Sequence, residues 1–131
     1  MKQIIETINS LPDLLPLKPA SDTQITDAEL QLRVNFAEEY KDYLSRFGAI
    51  IADGIELTGI ANAEHRNVVA LTKKERVLNP KVPNTMYVIE NTCTDGIIIW
   101  QDTKGEVYMT QPEKEPQKIA DSMAEYISKH K

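Results

Sequence analysis

Apolar residues recur with the spacing of an amphipathic helix at several places along the chain, most clearly in the segment 36–47. There the apolar face of the predicted helix is made by Phe36, Tyr40, Tyr43, Leu44 and Phe47, and charged residues make the other face. Asn35 has the chemistry of an N-terminal cap, with Glu38 three residues later. Gly48 fits the left-handed conformation that often follows a helix. The pattern predicts a helix over residues 36–47.

The same spacing predicts four further helices. Their apolar faces are made by Ile4, Ile5, Ile8 and Leu11, by Ala28, Leu30 and Leu32, by apolar positions within 68–78, and by Ile119, Met123, Tyr126 and Ile127. Pro12 stops the first of these helices. The second begins at the capping box Thr26-Asp27-Ala28-Glu29 and ends near Val34. The third has Asn67 as its cap and ends at Asn79-Pro80.

Segments rich in β-branched and aromatic residues predict strands that are separated by short polar turns. These segments are residues 50–51, 55–60, 86–90, 97–101 and 106–110. The turns carry Asp53-Gly54, Asp95-Gly96 and the segment 102–105, and such short connections imply antiparallel neighbours. Residues 97–100 are apolar on both faces, which predicts a central strand, and the polar segment 111–117 is predicted to be a loop. We therefore expect one α+β domain over residues 1–131, with a mostly antiparallel sheet flanked by helices.

The charge balance bears on the class of partner. The 131 residues include 20 acidic and 15 basic side chains, which gives a formal net charge of −5. Because phosphate binding needs clustered lysines and arginines, this balance disfavours a nucleic-acid partner and suits a basic protein. The N-terminal segment has none of the features of a signal peptide, and no apolar run approaches the length of a membrane span. We expect a cytoplasmic protein with no membrane partner.

Residues with catalytic or metal-binding chemistry are sparse. Two histidines and one cysteine are too few for a typical zinc site, so we expect no metal. Cys93 would need His65 or His130 as its base to act as a nucleophile, and a half-buried thiol at a strand end is the simpler interpretation. The acidic pair Glu38-Glu39 is expected on the wet face of its helix. The glycine motifs of nucleotide-binding and hydrolase sites are absent, so we expect no cofactor and no enzyme activity.

Aromatic residues on the predicted strands are the remaining candidates for function. Trp100 and Tyr108 lie on neighbouring strands, and Tyr87 lies on a third. Either these side chains are core, or one or two of them face outward as anchors for a partner, since Trp and Tyr are enriched at binding hot spots. Asp102 and Glu106 are at the rim of the same hairpin and would place negative charge beside them.

Several segments in a fixed order resemble the SUKH superfamily, which includes fungal cell-wall regulators and many bacterial immunity proteins. The resemblance covers residues 22–130. It is carried by the segments 36–44, Phe47-Gly48-Ala49, Leu57-Thr58-Gly59-Ile60, 87–91, Asp95-Gly96-Ile97, 105–108 and 118–127. Two positions depart from the family pattern, because Ala37 replaces a usual proline and Phe47 a usual asparagine. The resemblance implies an α+β fold with a mostly antiparallel sheet, in agreement with the pattern of apolar residues.

The resemblance also implies a non-catalytic function. The first hypothesis is that the protein is an immunity protein, which binds a cognate secreted toxin such as a nuclease or another domain that acts on nucleic acid. The expected contacts are Glu90, Asp95, Trp100, Asp102, Glu106 and Tyr108. An adaptor or regulatory module for an endogenous protein is the alternative, and a small enzyme is a third hypothesis. The oligomeric state remains open.

Overall fold

The structure of the protein is a computed structural model that describes residues 2–130. Within these residues five α-helices, seven strands and one short 3₁₀ turn follow one another. In chain order they are α1 (Gln3–Asn9), β1 (Leu15–Pro16), α2 (Asp22–Leu32), α3 (Glu38–Phe47), β2 (Ile50–Ala52), β3 (Ile55–Leu57), the 3₁₀ turn (Glu64–Arg66), α4 (Val68–Leu78), β4 (Tyr87–Asn91), β5 (Ile98–Gln101), β6 (Val107–Thr110), β7 (Gln117–Ala120) and α5 (Met123–His130). None of the helices in this part of the chain has the length and apolar character needed to cross a membrane.

The strands form two antiparallel sheets in which spatial order follows chain order. The first sheet has the order β1-β2-β3 and the second has the order β4-β5-β6-β7. On β5, Trp100 lies opposite Val88 of β4 and Tyr108 of β6. All four residues of β5 are buried, so the prediction of an interior strand there is confirmed. The predicted α+β class and antiparallel pairing are confirmed as well.

Helix α4 and its cap are as predicted from the sequence. The side-chain oxygen of Asn67 accepts hydrogen bonds from the backbone N–H groups of Val69 (2.9 Å) and Ala70 (3.1 Å). These bonds satisfy two of the donors that the first turn of a helix leaves without partners. Asn67, a short polar residue directly before the periodic apolar segment 68–78, was therefore sufficient to locate the start of this helix.

The start of α2 differs from the prediction. Its capping box is formed by Ser21 and Gln24, with Gln24 N–H donating to the Ser21 hydroxyl (3.2 Å) and Ser21 N–H donating to the Gln24 side-chain oxygen (2.9 Å). The box predicted at Thr26 was wrong because Ser21 offers the same chemistry more than one turn earlier. Starting there adds Ile25 to the buried face. Glu29 is left to accept a hydrogen bond from the backbone N–H of Phe36 (2.8 Å).

The start of α3 also differs, whereas its apolar face and its end are as predicted. Ala37 and not Asn35 occupies the cap position, and the Ala37 N–H donates to the Tyr87 hydroxyl (3.0 Å). Gly48 ends the helix with a φ of 74°, and a Cβ there would lie 2.0 Å from the carbonyl oxygen of Lys18. Any larger residue at this position would therefore displace the connector that precedes α2.

The C-terminal segment contains one strand that the sequence pattern did not predict. Gln117–Ala120 pairs with β6 as β7, so Ile119 lies on a strand and not on the closing helix. Glu39, predicted to be solvated, instead anchors the start of α5. Its carboxylate accepts hydrogen bonds from the backbone N–H groups of Met123 (2.7 Å) and Ala124 (3.0 Å) and from the Gln101 side chain (2.8 Å).

The four-stranded sheet is covered on its two faces by different elements. One face carries Tyr87, Ile89, Ile99 and Val107 and packs in the main core with apolar residues of α1, α3 and α5.

The other face carries Val88, Ile98 and Trp100 and packs against Leu71 of α4 and the segment that contains Val82 and Met86. Tyr108 lies at the border of this second cluster and is half-buried. The second face is thus covered over β4 and β5 but remains partly open at β6 and β7.

Thr58 joins the two sheets. Its N–H donates to the carbonyl of Ile89 (2.9 Å), and its hydroxyl donates to the carbonyl of Val88 (2.8 Å). The Tyr40 hydroxyl lies 2.8 Å from the Thr58 hydroxyl, and the Tyr43 hydroxyl donates to the Thr58 carbonyl (2.6 Å). Burial raises the pKa of both tyrosines, so their hydroxyls stay neutral. One threonine therefore connects α3, β3 and β4.

Replacing Thr58 with valine should lower the free energy of unfolding by about 2–4 kcal/mol, because the buried Val88 carbonyl and Tyr40 hydroxyl each lose a partner. Urea unfolding followed by the fluorescence of the buried Trp100 measures this change. Thr58→Ser keeps the hydroxyl and should lose about 1 kcal/mol for one buried methyl group. The exposed Thr85→Val is the matched control and should leave stability unchanged. Equal stability of Thr58→Val and wild type would contradict the role assigned to Thr58.

Candidate protein-binding surface

Two of the side chains predicted to contact a partner lie in the interior. Trp100 is 0% exposed, and its indole N–H donates to the Thr110 hydroxyl at 2.8 Å. Glu90 is 3% exposed, and its carboxylate accepts a hydrogen bond from the Tyr126 hydroxyl. Neither side chain is available to a partner in this structure, which corrects the expected contact set. For Trp100 the reason is that α4 covers the face of β5 that the apolar sequence left undecided.

Asp95 is exposed but lies apart from the other candidates. It occupies the turn between β4 and β5 with a φ of 53°, a left-handed conformation that aspartate tolerates better than most residues. Asp102 follows the opposite end of β5. The two aspartates therefore lie at opposite ends of the sheet and do not form one site.

Asp102, Glu106 and Tyr108 are brought together by the turn between β5 and β6. The Asp102 carboxylate accepts hydrogen bonds from the backbone N–H groups of Lys104 (3.0 Å) and Glu106 (2.9 Å), which fixes the turn. The Tyr108 hydroxyl donates to the Glu106 carboxylate at 3.3 Å. These side chains stand on a rigid hairpin at the open border of the second apolar cluster.

Lys118 and Asp121 complete this surface, although neither was among the contacts expected from the sequence. The Lys118 ammonium lies 2.7 Å from a carboxylate oxygen of Glu106 and 2.8 Å from one of Asp121. Lys118 lies directly opposite Tyr108 in the pairing of β6 and β7. We call these five residues, Asp102, Glu106, Tyr108, Lys118 and Asp121, the Tyr108 surface. The segment 117–120 has two polar residues followed by two apolar ones, so no alternation in the sequence pointed to β7 or to Lys118.

The ionic contacts set the charge states on the Tyr108 surface. The hydrogen bond from Lys118 and its positive charge hold the pKa of the Glu106 carboxyl below its usual range. Hydrogen bonds to Asp121 and Glu106 raise the pKa of Lys118. Burial, followed by the negative charge of Asp102, raises the pKa of Tyr108, so its hydroxyl remains a neutral donor. The surface therefore presents an acidic rim around one aromatic ring near neutral pH.

A separate small cavity, about 90 Å³ in volume, brings together residues with nucleophilic and basic side chains. Glu56, His65 and Cys93 line it, and His65 Nε2 lies 3.6 Å from the Glu56 carboxylate. Cys93 is exposed and lies beyond the end of β4, unlike the half-buried thiol expected from the sequence. Among the side chains of residues 2–129, no three acidic, histidine or cysteine groups are arranged to hold a metal ion.

A longer groove lies between α2 and α4. Two adjoining hollows of about 420 and 490 Å³ share Gln24, Ile60 and Asn67 as walls. The polar groups of these walls serve the protein itself, because Asn67 caps α4 and Gln24 completes the capping box of α2. Asn67 and Gln24 are therefore already engaged in capping and are not free to bind a ligand in the groove.

The chain matches a known family over almost its full length. A family model, SUKH_5, described as SMI1-KNR4 cell-wall, matches residues 1–130. The chain belongs to this SUKH family. The match begins near the N-terminus and so extends beyond the part of the chain, residues 22–130, that carried the resemblance in the sequence.

A solved structure agrees with this assignment at the level of the fold. A crystal structure of a protein from Pseudomonas syringae pv. tomato superposes on this SUKH chain with a TM-score of 0.76, at 16% identity, and covers 99% of this chain and 97% of that chain. At this identity the likeness shows a shared fold. A comparison with curated proteins gave no match.

Replacing Lys118 with methionine should raise the pKa of Glu106 toward its ordinary value, since the nearest cation is removed. A depressed carboxyl pKa stabilises the folded state above the unfolded-state pKa, and this contribution is lost as pH falls through the folded-state pKa. The stability difference between wild type and Lys118→Met should therefore narrow in acid. A carboxyl ¹³C NMR titration reads the Glu106 midpoint directly. Lys129→Met, which removes the partner of Glu125, is the control, and equal midpoints in both variants would refute the assignment.

Proposed function

We propose that this SUKH protein is an immunity protein, which binds a cognate secreted bacterial toxin and blocks it without chemistry of its own. It would act in the cytoplasm of the cell that it protects. Family membership supports this role, because the SUKH superfamily includes many bacterial immunity proteins. The partner would be a basic domain, such as a nuclease or another domain that acts on nucleic acid.

The observation that carries the proposal is that Tyr108 is only half-buried. Every other aromatic side chain of the protein is buried in the described structure, namely Phe36, Tyr40, Tyr43, Phe47, Tyr87, Trp100 and Tyr126. Tyr108 alone is half-buried, and it lies on a strand with its hydroxyl donating to the Glu106 carboxylate. Tyrosines placed in this way are typical anchors of protein interfaces, because they bury a large area at little cost in conformational entropy.

The charge of the Tyr108 surface supports a basic partner. Glu106 accepts the Tyr108 hydroxyl, Asp121 is joined to Glu106 through Lys118, and the negative charge of Asp102 acts on Tyr108. The whole chain has a formal net charge of −5. A toxin that acts on nucleic acid needs clustered lysines and arginines to bind phosphate. Carboxylates on an inhibitor can pair with those same side chains, which speeds encounter and favours the correct partner. An acidic surface around one aromatic anchor is therefore suited to cover such a site.

The alternative function is an adaptor or regulatory module for an endogenous protein. One observation favours it, because the matching family model is described by cell-wall proteins and not by toxins. An adaptor would use the same surface, so the identity of the bound protein separates the two functions.

The first experiment is affinity purification of the tagged protein from its native host, with the bound chains identified by mass spectrometry. A large secreted-type polypeptide with a basic C-terminal domain is the expected partner. Expression of that domain should arrest growth, and coexpression of this protein should restore it. Capture of endogenous regulators alone, with no toxin neutralised, would favour the adaptor function and overturn the proposal.

Tyr108→Ala should weaken the complex about 30-fold, corresponding to about 2 kcal/mol, as expected for loss of an interface anchor. Glu106→Lys should slow association and make binding less sensitive to salt, because it removes electrostatic attraction. Surface plasmon resonance with the captured domain measures both effects. The control is Glu6→Lys, with the same charge change at an exposed site on α1, which packs on the opposite face of the sheet. Folded Tyr108→Ala that binds as tightly as wild type would exclude this surface.

A further inference from the structure

The ion pairs of the Tyr108 surface differ from the others in their surroundings. Lys118 bridges two carboxylates, and the second oxygen of one of them, Glu106, accepts the Tyr108 hydroxyl. The side chain of Lys118 is 43% exposed, and those of Glu106 and Asp121 are 34% and 75% exposed. The pairs Lys2–Asp42 and Lys129–Glu125 include none of the residues of this surface. Lys41 also lies between two carboxylates, those of Glu29 (3.8 Å) and Glu38 (3.6 Å), but at longer distances than Lys118.

We propose that Lys118 occupies, in the free protein, the position that an arginine or lysine of the partner takes in the complex, so that the partner binds by displacing Lys118. This inference rests on the proposed function for the identity of the partner. It concerns the same surface and adds that Lys118 occupies the position of the partner's cation before binding.

The geometry favours displacement by a partner's arginine. Lysine contributes a single point charge on a flexible stem, whereas a guanidinium is planar and can donate several hydrogen bonds to two carboxylates at once. A guanidinium can also stack on the ring of Tyr108, which lies directly opposite Lys118 on the neighbouring strand. Exposed ion pairs contribute little to stability, so release of Lys118 into solvent costs little free energy.

An internal cation would also lower the affinity of this acidic surface for weak cationic ligands. While Lys118 offsets one of the two negative charges of Glu106 and Asp121, a lone cation gains less by approaching them. A partner that supplies an arginine together with a complementary surface gains enough to replace it. Lys118 would thus raise the selectivity of the surface and lower its affinity for cations in general.

The test uses a defined probe, the N-acetylated and C-amidated tripeptide glycine-arginine-glycine, in NMR titrations that follow Glu106 and Tyr108. Lys118→Met should bind this peptide at least about 5-fold more tightly than wild type, since the competing ammonium is gone. The same peptide with citrulline in place of arginine should not bind, because citrulline lacks the charge. Adding Glu106→Gln to Lys118→Met should remove the gain.

The matched control is Lys129→Met, which changes the net charge equally at a pair away from the surface. An equal increase in this control, or none in Lys118→Met, would overturn the displacement proposal. The peptide experiment needs no toxin, so its result is separate from that of the affinity purification. A positive peptide result with no toxin captured would overturn the immunity function and retain the cation site, whereas the reverse result would overturn the cation site alone.

Discussion

The hydrogen bonds of Thr58 are the contacts on which the arrangement of this protein depends. Two short sheets meet at this residue, and its backbone and hydroxyl bond to the adjacent strand β4 while two tyrosine hydroxyls of α3 bond to it from the main core. Because these groups are buried, each one would cost free energy without its partner. The tyrosines are placed by the apolar face of α3, so helix packing and sheet joining are set by the same contacts. This connection fixes where the four-stranded sheet lies relative to the helices.

Helix positions then decide which part of the sheet can interact with other molecules. Helices α1, α3 and α5 cover one face, and α4 covers the other face over β4 and β5. β6 and β7 extend beyond α4, which leaves Tyr108 half-buried at the border of the second apolar cluster. The ring packs against the cluster that contains Trp100 and remains partly exposed. A rigid aromatic residue of this kind loses little entropy when a partner covers it.

Charge and packing act together on the Tyr108 surface. The turn fixed by Asp102 places Glu106 beside the Tyr108 hydroxyl, and the edge strand β7 places Lys118 against the same carboxylate. In the function that we propose, this surface would bind a basic protein, and Lys118 would be displaced by a cation of that partner. The small cavity with Cys93 and His65 and the groove between α2 and α4 offer no comparable set of directed groups.

Elements that are set by residues close together in the chain could be predicted from the sequence alone. The apolar face of α3, the Asn67 cap of α4 and the β5–β6 hairpin that joins Asp102, Glu106 and Tyr108 all follow from local spacing and turn chemistry. The burial of Trp100 depends on α4, because both faces of β5 are apolar and a distant helix covers the face that carries this residue. The burial of Glu90 on β4 depends on α5, which places the Tyr126 hydroxyl against its carboxylate. Only the tertiary structure decided the pairing of β7, and with it the position of Lys118, because a four-residue edge strand is stabilised by its partner strand and not by its own sequence.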